Sequence, residues 1–302
     1  YILNVRQYFL AFNAAMMQNR IKNEIALGVN PFGLDWHELA LHLTSKGDNM
    51  CAGDFSNFDG SLPSVMLWAV CDIINEWYGD SDENQRIRTV LFSDIVNGIH
   101  INGDNVYQWT HSQPSGNPLT TLINCLINSL IFRYVFVRAT GLSLAEWDKK
   151  ISFISYGDDN VIGIHGSILD SFNQLRISEE CAKMGFTYTD EAKTGELVIS
   201  KKLSEIGFLK RSFRRNGETG MYEAPLELDT VLELVSWVRG DLDPDSRCAD
   251  NVEIAYKELS LHGREIFEFW APRLEALCNQ YLQNPPVLYA FEEYAHIVVE
   301  YY

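Results

Sequence analysis

Ile151-Ser152-Phe153-Ile154-Ser155-Tyr156-Gly157-Asp158-Asp159-Asn160-Val161-Ile162-Gly163-Ile164 decides how the rest of the chain is read. Two short runs rich in β-branched and aromatic residues flank Gly157-Asp158, a strong reverse-turn signal. The stretch therefore predicts a β-hairpin with Asp158 and Asp159 at its tip. An acidic turn alone is commonly just a solvated turn. A second carboxylate pair adds weight: Asp54 and Asp59 in Ala52-Gly53-Asp54-Phe55-Ser56-Asn57-Phe58-Asp59-Gly60, where Met50 to Phe55 reads as a strand carrying Asp54 at its end.

Brought to one place, Asp54, Asp158 and Asp159 repel one another, each pair by up to ~4 kcal/mol at about 4 Å in an effective dielectric near 20. They stay ionised together only if cations neutralise them, and Mg²⁺ prefers one or two carboxylates plus substrate phosphates. Two such ions, roughly 3.5–4 Å apart, can activate an attacking hydroxyl and stabilise the leaving oxygen in phosphoryl transfer. The cluster points to a metal-dependent nucleotidyl or phosphoryl transferase. No G-x-x-x-x-G-K-[ST], G-x-S-x-G or H-E-x-x-H motif competes with it, and the seven histidines are isolated. Gly79-Asp80-Ser81-Asp82-Glu83-Asn84 opens like a calcium loop. It has Gln85 where Gly is needed and Leu91 where a bidentate Glu is needed, so it reads as a solvated turn.

The 302 residues suffice for one large domain or two to three subdomains sharing a core, and 46% hydrophobic with 22% charged residues is ordinary for a soluble enzyme. The first residue is Tyr1, as expected of a polyprotein product or a trimmed segment, with no secretory signal. Leu119 to Val137 is the most apolar stretch, but Thr120, Thr121, Asn124, Asn128 and Arg133 within it argue against a membrane span. Six scattered cysteines without a C-x-x-C pair read as reduced packing residues in a cytosolic redox environment, with no structural zinc. A formal charge of −17, from 24 Lys plus Arg against 41 Asp plus Glu, argues against a surface coated for nucleic acid. Positive charge is nevertheless gathered locally in Lys201-Lys202, Lys210-Arg211 and Arg214-Arg215.

Periodicity predicts one amphipathic helix over residues 3–27 and a short one over 35–45. A further helix is expected from the Ser61 N-cap and Pro63 down to Tyr78. Asn102-Gly103 predicts a hairpin between Ile99–Ile101 and Val106–Trp109. After the loop Gln113–Pro118, a long helix runs from about Leu119 to Arg138. Thr120, Asn124 and Asn128 recur on it at i, i+4 and i+8 as a polar stripe, either core amides or a face lining a site. Ser171 to Gly185 reads as a helix, Phe186 to Thr189 and Ile206 to Phe213 as strands, and Asn216-Gly217 as a hairpin turn. Helical periodicity dominates from Leu226 onward.

These stretches together resemble the RNA-dependent RNA polymerases of picornavirus-like positive-strand RNA viruses. Asp54-Phe55-Ser56-Asn57-Phe58-Asp59 matches motif A, Ser115-Gly116 with Thr120 and Asn124 motif B, and Tyr156-Gly157-Asp158-Asp159 motif C. Lys193 matches motif D and Phe208-Leu209-Lys210-Arg211 motif E. The order is right, nearly the whole chain is covered, and an insect-infecting lineage fits.

The resemblance implies an α+β right-hand polymerase fold with an antiparallel palm sheet backed by helices, partial fingers and a helical thumb. The palm is expected at 1–60 and 112–216, the fingers part at 61–111 and the thumb at 217–302. Asp54 and Asp158, assisted by Asp159, would hold two Mg²⁺ ions, with Mn²⁺ a possible substitute. Asp59 and Asn124, with Ser115, Gly116 or Thr120 nearby, would read the ribose 2′-hydroxyl, a kind of selection worth up to ~10⁴ or more. Lys193 would protonate departing pyrophosphate; its bland alternative is an exposed lysine beside Glu191. Lys210 and Arg211 would contact primer-strand phosphates, which position a strand without reading its sequence. The implied partners are RNA template and primer, ribonucleoside triphosphates, a viral protein primer and replication-complex proteins. The implied location is the host cytoplasm, at membrane-associated complexes reached through those partners. A basic motif F is expected upstream of residue 1. The rival readings are a reverse transcriptase, which Asp59 with Asn124 disfavours, and a catalytically silent RNA-binding or assembly module.

Overall fold

The computed structural model describes residues 1–238, 240 and 243–294; the end of the expected thumb, 295–302, lies outside the described residues. The chain divides into two compact units, Tyr1–Val29 with His42–Lys202, and Asn30–Leu41 with Leu203–Tyr302.

The first unit carries strands β1 (Met50–Phe55), β2 (Ile99–Asn102), β3 (Asn105–Gln108), β4 (Ile151–Tyr156), β5 (Asp159–Ile164) and β6 (Tyr188–Asp190). Four of them form an antiparallel sheet in the order β4-β5-β1-β6, and β2-β3 is a separate hairpin turning at Gly103 as expected. Helices α1 (Ile2–Gln18), α2 (Leu34–Thr44, divided between the units), α3 (Phe58–Ser61), α4 (Ser64–Tyr78), α5 (Asp82–Val96), α6 (Thr120–Thr140), α7 (Trp147–Lys150) and α8 (Gln174–Lys183) complete it. The class is the expected α+β.

β1, β4 and β5 are buried along almost their whole length, which is why they read as near-continuous apolar runs rather than alternating ones. The Phe55 ring packs at a tilt against Phe58 (centroids 4.8 Å) and Tyr188 (5.1 Å), and Phe132 against Phe153 (5.2 Å), placing an aromatic layer at the centre of this core. Fully burying one such side chain contributes roughly 1.5–3 kcal/mol, so this layer outweighs several polar misfits. α6 is long and apolar enough to cross a membrane, but Ile123, Ile127, Ile131, Phe132 and Phe136 on it are buried in the core of this unit.

Several expectations need correction. The first helix ends at Gln18, not 27. Asn23 Nδ2 bonds back to Met16 O (2.8 Å), and Ala26 N donates to Ser155 O (2.9 Å), so Ile25 and Ala26 extend the edge of β4 instead of a helix. Ser61 closes the one-turn α3, its hydroxyl bonded to Phe58 O (2.9 Å), and Pro63 stands at the N-cap of α4. In α5, whose Leu91, Phe92, Ile95 and Val96 are buried, Arg88, 1% exposed, also occupies a core position. It is tied to Asp80 (2.5 and 3.0 Å) and Asn75 (2.7 Å), which also takes Asp80 out of a purely solvated turn.

The second unit contains helices α9 (Leu228–Glu233), α10 (Pro244–Ser260, with Asp243 as N-cap and Pro at its start) and α11 (Arg264–Tyr281). Val231, Val252, Tyr256, Leu259, Phe267 and Leu274 form its helical core. Residues 206–213, expected as one strand, are a hairpin of β7 (Gly207–Phe208) and β8 (Arg211–Ser212). Leu209 (φ 54°) and Lys210 (φ 64°) supply the positive dihedrals of a two-residue type I′ turn without any glycine, which is why the turn was invisible in sequence. β9 (Arg214–Arg215) and β10 (Tyr222–Glu223) pair around Asn216-Gly217, as predicted. Trp36 of α2 stacks on Phe213 (4.8 Å) within this unit.

Gly53 in β1 is a point of close approach: a Cβ there would lie 2.2 Å from the Tyr188 ring and hydroxyl and 2.7 Å from Thr189 O. Gly53→Ala is expected to destabilise the protein by about 1–3 kcal/mol, as overpacking in a closed core does. Denaturant unfolding of the variant against the parent checks this.

Candidate active site

The four-stranded sheet brings its two acidic turns together because β1 pairs directly with β5, Gly53 opposite Asn160. In the β4-β5 hairpin Tyr156 pairs with Asp159, leaving Gly157 and Asp158 as the two-residue turn. Gly157 takes φ +67° while Asp158 is not among the positive-φ residues, the pattern of a type II′ turn. Past β1, Asn57 (φ 51°) turns the chain in the left-handed region that asparagine tolerates, and α3 begins with Asp59 in its first turn.

The tip is held from behind by α6. Asn128 Nδ2 lies 3.1 Å from both Gly157 O and Asp158 O, and Gly157 N donates to Cys125 Sγ (3.1 Å). Asn160 Nδ2 donates to Asp158 O (3.0 Å), and Asn160 Oδ1 accepts from the Tyr188 hydroxyl (2.9 Å). The tip backbone is thus bonded on several sides before its carboxylates do anything. Burial pushes the Cys125 thiol up to about 11, so it serves here as a neutral partner.

Four charged groups share the front of this frame. Asp54 is 4% exposed; its Oδ2 meets the Lys193 ammonium at 2.5 Å, while its buried Oδ1 has no hydrogen-bond partner. Asp158 is half-buried, and its pKa is raised, first by burial and then by the charges of Asp54 and Asp59. Lys193 is held above its ordinary value, first by the hydrogen bond it donates to Asp54 and then by the charges of Asp54, Asp158 and Asp159. Asp159, at the start of β5, is half-buried. The donor set is all hard oxygen, with one orphaned buried acceptor and one lysine already acting as the cation, so these residues fit a magnesium site. Among the described residues no three acidic, His or Cys side chains converge closely enough to hold a metal ion by themselves.

Asp59 is bound on both oxygens, Ser115 Oγ on Oδ2 (2.8 Å) and Asn124 Nδ2 on Oδ1 (2.6 Å). Gln113 N donates to Asp59 O (2.8 Å), so the loop before α6 and the turn after β1 form one assembly. Asn124 Oδ1 is buried without a partner. Thr120 faces its own loop, its hydroxyl 2.6 Å from Pro114 O and 2.9 Å from Asn117 O. Gly116 is exposed, with open space where a Cβ would sit.

Asp54, Asp59, Ser115, Asn124, Asp158 and Lys193 are therefore brought to one place in the first unit. Lys210 and Arg211 belong to the second. Lys210 is exposed at its hairpin tip, whereas Arg211 is committed to Glu258 (2.7 and 2.9 Å) and Ala224 O (2.6 Å). Sequence reasoning passed over Asn160 and Tyr188, and it singled out Asn128 without giving it a task. The i+8 spacing of Asn128 from Thr120 was its signal; Asn160 and Tyr188 had none, since they meet only across strands.

The family profile described as viral RNA-dependent RNA polymerase matches residues 1–277. The replicase polyprotein of Drosophila C virus (strain EB) is 41% identical over 312 aligned residues, covering 98% of this chain and 18% of that polyprotein. That of acute bee paralysis virus (strain Rothamsted) is 42% identical over 281, covering 89% and 15%. The chain thus spans less than a fifth of the length of these curated relatives. Among solved structures, the fold matches one described as Sicinivirus 3Dpol RNA dependent RNA polymerase, with a TM-score of 0.79 at 18% identity, over 97% of this chain and 60% of that one.

Because the folded-state pKa of Asp158 lies above its ordinary value, the folded protein binds more protons than the unfolded chain between the two values. Stability therefore falls as pH rises through that window. Without divalent cations, Asp158→Asn is expected to melt higher than the parent at pH 7. The gap should close as pH falls through the raised pKa toward the ordinary carboxylate value. Thermal unfolding across pH tests this, and a parent that melts higher at pH 7 would contradict the cost of burying this charge beside Asp54 and Asp59.

Proposed function

The chain belongs to the viral RNA-dependent RNA polymerases, and on that premise we propose that it catalyses template-directed transfer of nucleotides from rNTPs to a primer 3′-hydroxyl. The observation that carries this reading is the meeting of Asp54, Asp59 and Asp158 at one end of the sheet, with the Asp158 pKa raised by burial and then by the charges of the other two. Asp54 and Asp158, with Asp159, would hold Mg²⁺, or Mn²⁺ in its place. When bound, these ions supply activation of the primer hydroxyl and neutralisation of charge on the reacting phosphate.

The chain's own residues do the rest. Asp59 is oriented by Ser115 and Asn124, and the orphaned Asn124 Oδ1 is an acceptor waiting for a donor; a ribose 2′-hydroxyl satisfies it, and a deoxyribose does not. Thr120 keeps the loop that presents Ser115 and Gly116 in shape. Lys193, kept protonated by the surrounding carboxylates, donates its Nζ proton to the departing pyrophosphate. Lys210 meets strand phosphates, with Arg211 anchoring its hairpin through Glu258. Template, primer and rNTPs are the direct partners. A protein primer and further replication proteins, at cytoplasmic membranes, complete the assembly in which it would act.

The test is incorporation of labelled rNTPs and dNTPs on a primed RNA template with Mg²⁺ or Mn²⁺. Template-dependent rNTP incorporation is expected, and it should vanish on chelation. Asp158→Asn should lower it by roughly 100-fold or more, the rate equivalent of several kcal/mol of lost metal stabilisation. Asn124→Ala should narrow the preference for rNTP over dNTP by about 10- to 100-fold, the worth of a hydrogen bond in a charged constellation. Preferential dNTP use by the parent would overturn the assignment of Asp59 and Asn124. A chain that binds RNA but never extends it would favour the silent module.

A further inference from the structure

Asp190 takes no part in the chemistry above, yet it is the most heavily bonded carboxylate beside it. It ends β6 opposite Gly53, next to Asp54 on the neighbouring strand, and is 1% exposed. Its Oδ1 accepts from Gly195 N (2.7 Å), and its Oδ2 accepts from Thr194 N (3.1 Å) and Thr194 Oγ1 (3.0 Å). Its carbonyl accepts from Lys193 N (3.0 Å). Burial alone would push its pKa up, but these bonds outweigh burial and hold it below the ordinary value, so the carboxylate stays ionised and keeps its donors. Residues 191–195 are thereby wound around one side chain, the way aspartate commonly organises a turn.

Lys193 lies inside that turn at φ 55°, a left-handed conformation that a lysine holds only where its surroundings impose it. Its side chain is 68% exposed, so little packing restricts it, and the placement of its backbone decides where the ammonium reaches. A second tie closes the far end of the loop. Lys201 pairs with Met50 through both backbone groups (2.8 Å each), and its ammonium meets Glu191 Oε1 (2.9 Å).

We propose that Asp190 is a positioning residue for the nucleotidyl transfer. Its carboxylate shapes the 191–195 turn so that the Lys193 ammonium is delivered to the Asp54 side of the site, where the pyrophosphate leaves. The proposal rests on the reading of Lys193 as proton donor, and the experiment separates the two.

In a polymerase carrying this chain, rNTP incorporation is measured for the parent, Asp190→Ala, Lys193→Leu and the double variant. Lys193→Leu should lower kcat by about 100-fold or more. Asp190→Ala should lower kcat by roughly 10- to 100-fold, with KM for rNTP within about twofold, the signature of a misplaced catalytic group. The double variant should be no slower than Lys193→Leu alone, because both changes remove one function. Losses that multiply in the double variant, or an Asp190→Ala defect carried by KM, would overturn the proposal. Lys193→Leu at the parental rate would instead sink the proton-donor reading, and the positioning role with it. Thr194→Val removes one donor while leaving Asp190 buried, and covers the case in which Asp190→Ala does not fold. Its smaller loss of kcat should likewise vanish in the Lys193→Leu background; persistence there counts against the proposal.

Discussion

Like charge held close shapes everything built around the end of this sheet. Asp54, Asp59 and Asp158 meet at the end of a sheet whose interior is a layer of aromatic rings, and water there cannot screen them fully. Each is managed differently. Asp59 is satisfied by Ser115 and Asn124, and Asp54 is neutralised by Lys193. Asp158 is left with its charged form disfavoured. A protein selected for stability alone would not keep this arrangement. Under the proposed function, a cation and a triphosphate would complete the charge balance during turnover.

The frame that holds the cluster is economical. The turns bearing Asp59 and Asp158 are far apart in sequence, and α6 reaches both with residues one helical turn apart. Asn124 grips Asp59, and Asn128 grips the carbonyls of Gly157 and Asp158. Side chains at i and i+4 stand on one face about 5–6 Å apart, so the pitch of one helix sets the spacing between the two acidic turns. The polar stripe on an otherwise buried helix is thus neither idle core nor a bare lining: each amide has its own job.

Much of this was legible. The β4-β5 hairpin, β1 with Asp54 at its end, the β2-β3 turn and α6 all follow from local patterns that tertiary contacts reinforce. What misled was local pattern overridden by distant partners. Ile25 and Ala26 continue a helical stripe in sequence but bond to the edge of β4. Asp80, which reads locally as part of a solvated turn, pairs instead with Arg88 buried in α5. Leu209 and Lys210 adopt a turn usually reserved for Gly and Asn, and alternation in Ile206 to Phe213 hides it.

The available chemistry was written in the order of residues: two acidic turns, a polar-striped helix and a lysine, whose types suit metal-assisted phosphoryl or nucleotidyl transfer. Folding settled which of these groups act on one another. Strand register put Gly53 beside Asn160 and Asp190, and so seated Asp54 among Asp158 and Lys193. It also gave Asp190 its loop, and Arg211 to Glu258 rather than to an open surface. Residue type fixes what a side chain can donate or accept, but a hydrogen bond or charge pair acts over only a few ångströms. Which partner lies within that reach is a property of the folded chain.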